Sequence, residues 1–374
     1  MPDRNEFDVA VIGGGVVGSA IAFGLRRLGP RLVLLDEGDI AHRASRANFG
    51  LVWVHGKGLG LPAYGSWTQL SARRWPEFAA DIVAETGIDP ELAQPGGVHV
   101  CLTQRELDAR VATIDRLFAQ PGFERYDVEV LDQAALARHV PGVGPEPVGG
   151  TWSALDGHCN PLRLLYGLHA GLLRAGGAYR PRNAVSRIRP RGDGFDVDTE
   201  EGRITAGKVV LAAGLGNAKL APMVGLAAPV RPQKGQVIVL ERVRPFLSIP
   251  LWTLRQTADG TVLIGDSQQE RGFDDTLDLG VLATMAARAQ RVFPQLAGVR
   301  VNRAWAALRV MTPDGLPVYE QSAMHPGAFV ATCHSGITLA AAHALELAPC
   351  IAAGALPDYF AAYSARRFDV ASTV

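Results

Sequence analysis

The stretch Phe7–Asp36, FDVAVIGGGVVGSAIAFGLRRLGPRLVLLD, predicts a strand, a glycine turn, a helix and a second strand. Phe7–Ile12 is a short apolar run, as in a strand that is buried on both faces. Val16–Arg27 continues with helical spacing, and the Gly-Pro pair that follows is a typical helix stop. Arg31–Asp36 is the second strand. This order of elements is typical of parallel sheets in α/β proteins.

The turn between the first strand and the helix has the pattern G-x-G-x-x-G at Gly13, Gly15 and Gly18. Gly13 permits the tight turn, Gly15 lets the backbone approach a pyrophosphate, and Gly18 lets the helix lie close to the strand. The helix N-terminus offers unpaired N–H groups and partial positive charge to phosphates. Asp36, at the end of the next strand, is placed to accept hydrogen bonds from a ribose. The turn therefore predicts a dinucleotide site, for NAD or for FAD.

A second match to the relaxed pattern, at Gly58, Gly60 and Ala63, is rejected as a dinucleotide site. Pro62 interrupts the turn, and the acid at the right offset, Asp81, lies in a helical pattern rather than at a strand end. With 42 glycines in 374 residues, roughly half a chance match to the pattern is expected somewhere in the chain, so its context must decide.

Length and composition limit the classes of function. A chain of 374 residues is long enough for two domains. Lys and Arg together number 37, as do Asp and Glu, so no net field favours nucleic acid and we expect no nucleic-acid partner. The cysteines are far apart and the histidines lack paired ligand spacing, so we expect neither a disulfide framework, an iron–sulfur cluster nor a metal site.

Val9–Leu25 is a long uncharged stretch, but it carries five glycines and lacks a basic leader. We therefore expect no transmembrane segment and a cytoplasmic location.

Buried strands recur late in the chain. Lys208–Gly216 is a strand that enters a second glycine turn, and Ala328–Thr332 is another that precedes Gly336. They suggest that the nucleotide-binding sheet is assembled from separated segments. Strands between these segments favour a second, largely antiparallel sheet, and the Pro/Gly-rich run Pro141–Gly150 suggests a crossing between domains.

Five motifs, in this order and spacing, resemble the FAD-dependent amine and amino-acid oxidoreductases of the D-amino-acid oxidase family, which includes glycine oxidase and sarcosine oxidase. They are DVAVIGGGVVGSAIAFGL with LLDEG, then ASRANFGL, VVLAAGLGN, WAALRVMTPDGLPV and ATCHSGITLA, and they cover nearly the whole chain. Within the family, RASRANFGLVWVHGKG is most similar to catalytic subunits of opine oxidases, D-hydroxyproline dehydrogenases and hydrogen cyanide synthase.

The resemblance implies an α/β fold, α+β overall, with a Rossmann-like FAD-binding domain and a substrate domain built on a largely antiparallel sheet. We assign residues 1–90, 156–222 and 304–374 to the FAD-binding domain, and 91–155 and 223–303 to the substrate domain.

The resemblance also implies which residues hold the cofactor. The ADP half is expected to bind to the first turn and to the acidic pair at the end of the second strand: Gly13, Gly15, Val16, Val17, Gly18, Asp36 and Glu37. The next two groups lie near the pyrophosphate and ribose, and near the flavin: Arg43, Ser45 and Arg46, then Asn48, Gly50 and Leu51. The remaining contacts are at adenine, at the second glycine turn and along the flavin ring: Val185, Ala213 and Gly214, and Gly336, Ile337, Thr338 and Leu339. A solvated loop is the alternative for Arg43 and Arg46.

Arg309 matches the family position whose arginine binds the substrate carboxylate, and a planar guanidinium suits that bidentate pair. The alternative is a structural ion pair at a strand end. His334 and His55 fall near the flavin, where each could orient substrate or simply be a packed histidine. Lys57 is an additional polar contact for the same site.

Two further features concern the cofactor and the border of the pocket. Lys234 and Gln236 could border the pocket, or be polar residues at a strand edge. Some relatives attach flavin through a cysteine just before the T-P-D segment, where this chain has Ala307 and Leu308, so non-covalent FAD is expected.

The reaction implied is hydride transfer from the carbon beside an amine nitrogen to flavin N5, followed by hydrolysis of the imine. The substrate is then a small amine or amino acid with a carboxylate. Companion subunits with further redox groups are the expected partners. The alternatives are a stand-alone oxidase that produces hydrogen peroxide, a flavin-bearing assembly subunit without activity, and a nicotinamide dehydrogenase.

Overall fold

A computed structural model describes residues 5–38 and 44–369, so Arg43 lies outside the described residues. The strands are β1 (Glu6–Ile12), β2 (Leu32–Leu35), β3 (Leu51–Val52), β4 (Gly97–Cys101), β5 (Glu129–Asp132), β6 (Gly149–Ser153), β7 (Gly157–His158), β8 (Ala178–Arg180), β9 (Val185–Arg191), β10 (Gly194–Thr199), β11 (Gly202–Leu211), β12 (Arg231–Arg242), β13 (Leu254–Gln256), β14 (Thr261–Ile264), β15 (Val301–Met311), β16 (Val318–Gln321) and β17 (Ala328–Thr332). The α-helices are α1 (Val16–Leu25), α2 (Pro62–Thr86), α3 (Gln104–Phe118), α4 (Gln133–His139), α5 (Pro161–Arg174), α6 (Asn217–Leu220), α7 (Leu279–Val292), α8 (Gly336–Ala342) and α9 (Ala348–Ala353).

The largest sheet has the strand order β16-β17-β11-β1-β2-β8. β1 lies parallel to both β2 and β11, with Val9 opposite Leu32 on one side and Lys208 on the other. β17 is parallel to β11, and β9 and β10 extend β11 as an antiparallel meander. This confirms the prediction that strands from the start, the middle and the end of the chain form one nucleotide-binding sheet.

The centre of this sheet is buried on both faces because the strands there are continuously apolar. β2 is completely buried, and α1 packs beside it. Gly24 of α1 lets that helix approach the C-terminal helices closely, since a Cβ there would lie 2.1 Å from the Ala344 carbonyl oxygen.

The C-terminal helices form one continuous segment, Gly336–Ala353, in which His343–Leu347 is a π-helical stretch between α8 and α9. By length and composition alone it could cross a membrane, but 61% of it is buried inside the molecule, as in a core helix.

The second sheet region is antiparallel. β13-β14-β12-β15 form one ladder and β4-β6-β5 another. The two are joined at Val98, whose N–H donates to the Pro250 carbonyl at 3.1 Å and whose carbonyl accepts from the Trp252 N–H at 3.0 Å. A shared core of apolar residues from both ladders and α7 holds them together. The mixed α/β architecture with a largely antiparallel second sheet is therefore confirmed, whereas the domain boundaries remain a prediction. β15 spans the predicted boundary at 304.

The Pro/Gly-rich run Pro141–Gly150 does not cross between the sheets. It joins α4 to β6, which pairs with β5, the strand immediately before α4. Proline and glycine mark loops within a domain as well as between domains, and composition alone does not distinguish the two.

Candidate active site and cofactor cavity

Two adjoining cavities lie between the parallel sheet and the antiparallel sheet. The larger, about 810 Å³, is lined by both glycine turns and the N-terminus of α8. The smaller, about 220 Å³, is lined by β12, β15 and the residues around β3. They share six lining residues, Ala44, Asn48, Val310, Cys333, His334 and Ile337. The pair forms one elongated space with a nucleotide end and an antiparallel-sheet end.

Most of the predicted cofactor residues line this space. The larger cavity is lined by these predicted residues: Gly13, Gly15, Val16, Val17, Asp36, Glu37, Ser45, Arg46, Asn48, Val185, Ala213, Gly214, Gly336 and Ile337. Leu51 and Thr338 line the smaller cavity. Gly18, Gly50 and Leu339 line neither and pack behind the walls, and Arg43 lies outside the described residues.

The first glycine turn is packed against the second. Gly13 has φ +112°, and a Cβ there would lie 2.3 Å from the Ala212 carbonyl oxygen. A Cβ on Gly18 would lie 2.0 Å from the Gly13 carbonyl oxygen, and one on Gly15 would lie 2.8 Å from Ser45 Oγ. The contacts at Gly13 and Gly18 are with backbone atoms and shorter than van der Waals contact, so these two glycines are required by a close approach, whereas the contact at Gly15 is with a side chain that can move.

Asp36 and Ser45 hold the turn in place from opposite sides. Asp36 Oδ2 accepts a hydrogen bond from the Gly14 N–H at 2.7 Å, and Oδ1 accepts from the Gly38 N–H at 3.0 Å. Ser45 Oγ accepts from the Val16 N–H at 2.9 Å. A carboxylate has about four lone-pair sites, so Asp36 keeps acceptor capacity for a ribose.

His169 of α5 supports the same turn. Its Nε2 lies 2.9 Å from Ser19 Oγ, which donates to the Gly14 carbonyl oxygen at 3.0 Å, and its ring stacks on Tyr179 with centroids 4.2 Å apart. Tyr179 lines the larger cavity. The sequence carried no signal for this contact, because His169 is 150 residues from its serine partner.

The N-terminus of α8 is fixed to the loop around β3 and to α2. Thr338 Oγ1 accepts from the Trp53 N–H at 3.0 Å, and the Thr338 carbonyl oxygen accepts from Ser71 Oγ at 2.6 Å and from Trp75 Nε1 at 3.1 Å. Ser71 and Trp75 are fully buried. The N-terminus of α8, whose Ile337 lines both cavities, is therefore held by hydrogen bonds with two other segments of the chain.

The residues of the larger cavity fit FAD. Glycines form its nucleotide end, where side chains would overlap the facing backbone. The Thr332 hydroxyl, in the wall of the same cavity, is buried and has no hydrogen-bond partner within the described residues. Buried polar groups are normally satisfied, so this hydroxyl is consistent with a polar ligand.

Arg309 lies in the wall of the smaller cavity. Its guanidinium donates to the Ser267 carbonyl oxygen at 2.6 Å and forms a salt bridge with Asp266, which lines the same cavity. Gly235 on β12 makes room for it, since a Cβ there would lie 2.6 Å from Arg309 Cζ. The ion pair considered as an alternative is present, but it lies inside the candidate substrate site. Asp266 was not predicted.

Lys57 also lines the smaller cavity, where its Nζ donates to Ser335 Oγ at 2.8 Å. Burial lowers the pKa of Lys57 to about 8, against the opposing effect of nearby Asp156. Ser335 and the buried Tyr64, which donates to Ser335 Oγ at 2.9 Å, were not predicted from the sequence.

The two predicted histidines lie in different environments. His334 lines both cavities, and burial lowers its pKa to about 3, so the ring is neutral near pH 7. His55 lines neither cavity. Its Nδ1 is 3.4 Å from an Asp156 carboxylate oxygen and its ring stacks on Trp53 at 6.0 Å. A role for His55 would therefore act through Trp53, which lines the smaller cavity.

The two residues expected at the border of the pocket, Gln236 and Lys234, also lie in different environments. Gln236 lines the smaller cavity and accepts from the Asp278 N–H at 2.9 Å. Lys234 lines neither cavity, and its Nζ pairs with Asp274 at 2.9 Å.

Cys333 lines both cavities, and burial raises its pKa to about 12, so it is a thiol near pH 7.

Comparisons with known proteins agree with this arrangement. The sequence profile of the family described as "FAD dependent oxidoreductase" matches residues 8–349. The chain is 44% identical over 369 residues to an opine oxidase subunit of Agrobacterium tumefaciens (strain Ach5), covering 99% of this chain and 100% of the relative. It is 42% identical over 364 residues to the corresponding opine oxidase subunit of Rhizobium meliloti, covering 97% and 98%.

The fold is also that of a solved glycine oxidase from Geobacillus kaustophilus, with a TM-score of 0.85 and 24% sequence identity over 95% of this chain and 96% of the other. The resemblance inferred from the five motifs is thus confirmed. With its glycine turns, its elongated cavity and a family match over most of its length, the chain belongs to the FAD-dependent oxidoreductases that act on amino-acid and amine substrates, and FAD is its cofactor.

Proposed function

We propose that this chain is the catalytic subunit of an opine-oxidising or D-hydroxyproline-type dehydrogenase complex, and that it oxidises a secondary or primary amine carrying a carboxylate. The observation that carries the proposal is the smaller cavity, where Arg309 and Lys57 line a partly apolar space that adjoins the cofactor cavity. Two relatives, at 44% and 42% identity, are each named as a subunit of an opine oxidase, which supports the choice of an opine over glycine.

The residues of the smaller cavity supply binding and orientation. FAD, when bound, provides the acceptor for a hydride from the carbon beside the amine nitrogen. The substrate carboxylate forms a bidentate pair with the Arg309 guanidinium and takes the place of the Asp266 side chain, which accepts a hydrogen bond from only one guanidinium nitrogen. Trp53 and Trp252 line the cavity and limit the access of water. The imine product then hydrolyses in water.

Anaerobic addition of an N-(1-carboxyethyl) amino acid to the yellow holoenzyme tests this proposal directly. We expect the flavin absorbance to bleach with this chain alone, since the proposed catalytic site is formed by its own residues. Bleaching by glycine or sarcosine but by no N-carboxyalkyl amino acid would replace the opine assignment. A chain that no amine bleaches would be a flavin-bearing assembly subunit.

We also propose that electrons pass to a companion chain rather than to oxygen. Both opine oxidase relatives are named as one subunit of their enzyme, which supports a complex. Within the described residues, no cluster of His, Cys, Asp or Glu could hold a metal. We expect the amine-reduced flavin to react slowly with oxygen. Rapid reoxidation with stoichiometric hydrogen peroxide would identify a stand-alone oxidase.

A further inference from the structure

Three polar side chains, two from one stretch of the chain and a third more than 270 residues away, meet at the wall of the smaller cavity. Lys57 Nζ and Tyr64 Oη both lie within hydrogen-bond distance of Ser335 Oγ, at 2.8 Å and 2.9 Å. Lys57 and Ser335 face the cavity, and Tyr64 is buried behind them. Ser335 immediately precedes α8, whose backbone is fixed by Ser71 and Trp75. The hydroxyl is therefore held in one place.

We propose that Lys57 accepts, through the Ser335 hydroxyl, the proton that a substrate ammonium must lose before its C–H bond is oxidised. This inference rests on the proposed function, because it assigns one step of amine oxidation to residues of the smaller cavity. Ser335 contacts the substrate nitrogen, and Lys57 acts through Ser335.

The surroundings of Lys57 favour its neutral form. Within residues 5–38 and 44–369, no carboxylate oxygen lies within 4.0 Å of its Nζ. An enclosed ammonium without a paired carboxylate is costly. Consistent with this, burial lowers the pKa of Lys57 to about 8 from 10.5. Part of the Lys57 population is then the free base near neutral pH and can accept a proton.

The groups that face Lys57 do not titrate in the same range. Asp156 and Asp266 raise the pKa of Lys57 and so limit the effect of burial. Burial raises the pKa of the Tyr64 phenol well above its usual range and that of the Cys333 thiol to about 12. The pKa of His334 is lowered to about 3, chiefly by burial, with Lys57 and Arg309 as smaller contributions. A titration near pH 8 in this cluster therefore belongs to Lys57.

Hydrogen-bond directions permit the transfer. Tyr64, which stays protonated, donates to one lone pair of Ser335 Oγ. When Lys57 is neutral, Ser335 can donate its own hydrogen to Nζ and keep a second lone pair for the substrate N–H. The substrate N–H bond breaks as its proton moves to Ser335 Oγ, and the Ser335 proton moves to Lys57. The products are a neutral amine and the Lys57 ammonium, and no electrons are transferred.

The test separates a proton acceptor from a fixed positive charge. The variants are K57M, K57R and S335A, and the measurement is the anaerobic flavin-reduction rate with an N-(1-carboxyethyl) amino acid as a function of pH. For the wild type we expect the rate to rise with an apparent pKa of about 8. All three variants should be slower by on the order of 10²-fold at neutral pH. They should approach the wild-type rate only where the substrate amine deprotonates by itself. Arginine keeps the charge but cannot lose its proton, so a K57R enzyme with wild-type rate and pH profile would refute the relay.

A second measurement needs no substrate. In the resting holoenzyme, the pH dependence of acetylation by acetic anhydride, followed by peptide mass spectrometry, reports the free-base form of each lysine. We expect Lys57 to show half-maximal reactivity near its pKa of about 8, and the same lysine in the urea-unfolded chain serves as the control, because unfolding removes its burial. Equal profiles for Lys57 in the folded and in the unfolded chain would overturn the proposal.

Different outcomes refute amine oxidation by this chain and the relay through Ser335 to Lys57. A wild-type flavin that no amine bleaches refutes the proposed function. Bleaching by an opine with an unaltered pH profile in a folded, FAD-containing K57M enzyme refutes the relay alone.

Discussion

At the scale of single residues, Arg309 and Asp266 set the strength of carboxylate binding. Asp266 occupies the guanidinium in the structure, so a substrate carboxylate must replace it. We expect R309M to raise KM for a carboxylate substrate by on the order of 10²-fold, since loss of one charge-assisted pair costs about 2 to 4 kcal/mol. Steady-state kinetics across a range of substrate concentrations provides the measurement.

D266N is the matched variant at the same site. It removes the competing charge but leaves the arginine in place, and we expect KM to fall by a few-fold, roughly the effect of 1 kcal/mol. An unchanged KM in R309M would remove Arg309 from substrate binding. A KM that rises in D266N would instead assign Asp266 to the substrate amine.

Lys57 also makes the free energy of unfolding depend on pH. Its pKa in the folded chain is about 8, below the ordinary value of 10.5. Between these values the unfolded chain binds more protons than the folded one, so the Lys57 contribution to stability rises with pH through this window and is lost below it. Urea denaturation of wild type and K57M at several pH values should show a difference with this sign. A difference of constant size would contradict the depressed pKa.

At the scale of elements, the strand–turn–helix unit depends on Gly18. A Cβ there would lie 2.0 Å from the Gly13 carbonyl oxygen and would push α1 away from the turn. We expect G18A to lose FAD during purification, as measured by the ratio of flavin to protein absorbance. G280A in the first turn of α7 is the control, because its nearest neighbour would be a side-chain oxygen 3.4 Å away. Full retention of FAD by G18A would show that α1 can shift without cost.

Arg255 connects the antiparallel sheet to the loop that lines both cavities. This buried arginine of β13 donates to the Phe49 carbonyl oxygen, lies over the Phe49 ring at 5.8 Å and contacts His158 Nδ1 at 3.4 Å. We expect R255M to lower the free energy of unfolding by about 1.5 to 3 kcal/mol, the range for hydrogen bonds to charged groups.

Arg300 is the control for this prediction, because its salt bridge with Glu241 is largely exposed, at 85% for the arginine side chain. R300M should cost less than about 1 kcal/mol. Equal effects of the two substitutions in chemical denaturation would mean that the Arg255 contacts do not stabilise the chain.

At the scale of the whole molecule, FAD should stabilise the fold by mass action, because the cofactor cavity is lined by segments from residue 12 to residue 337. At a free FAD concentration of about 100 Kd the expected gain is roughly 2.7 kcal/mol. Thermal melting of the apoprotein should therefore shift upward with FAD. Riboflavin, which lacks the ADP half, should shift it much less, since the first glycine turn, Asp36 and Ser45 lie at the nucleotide end. Equal shifts would place the binding energy at the flavin end.

Acid denaturation tests the expected absence of a covalent link. The positions considered for a flavin-bearing cysteine are Ala307 and Leu308 in this chain. We expect the flavin to remain in the supernatant after the protein precipitates. Yellow precipitate would point to another attachment residue.

The parallel sheet and the nucleotide end of the cofactor site could be predicted from the sequence alone. Both depend on local patterns: apolar runs that fit strands buried on both faces, and glycines at fixed spacing in one continuous stretch, Phe7–Asp36. The residues at this end, such as Gly13 and Asp36, lie close in sequence, so their spacing indicates their geometry. Similarity to known motifs extended this to Arg309 and to the turn at Gly336.

The side chains that meet in the smaller cavity could be identified only from the folded chain. Asp266 approaches Arg309, and Ser335 approaches Lys57 and Tyr64, across separations of 43, 278 and 271 residues. The fold also places His55 behind Trp53 rather than in the cavity wall. No local pattern encodes such contacts, because they follow from how the antiparallel sheet packs against the parallel one. The first glycine turn and Asp36 therefore follow from one continuous stretch of sequence, whereas the side chains of the smaller cavity are brought together only by folding, because they are far apart in the chain.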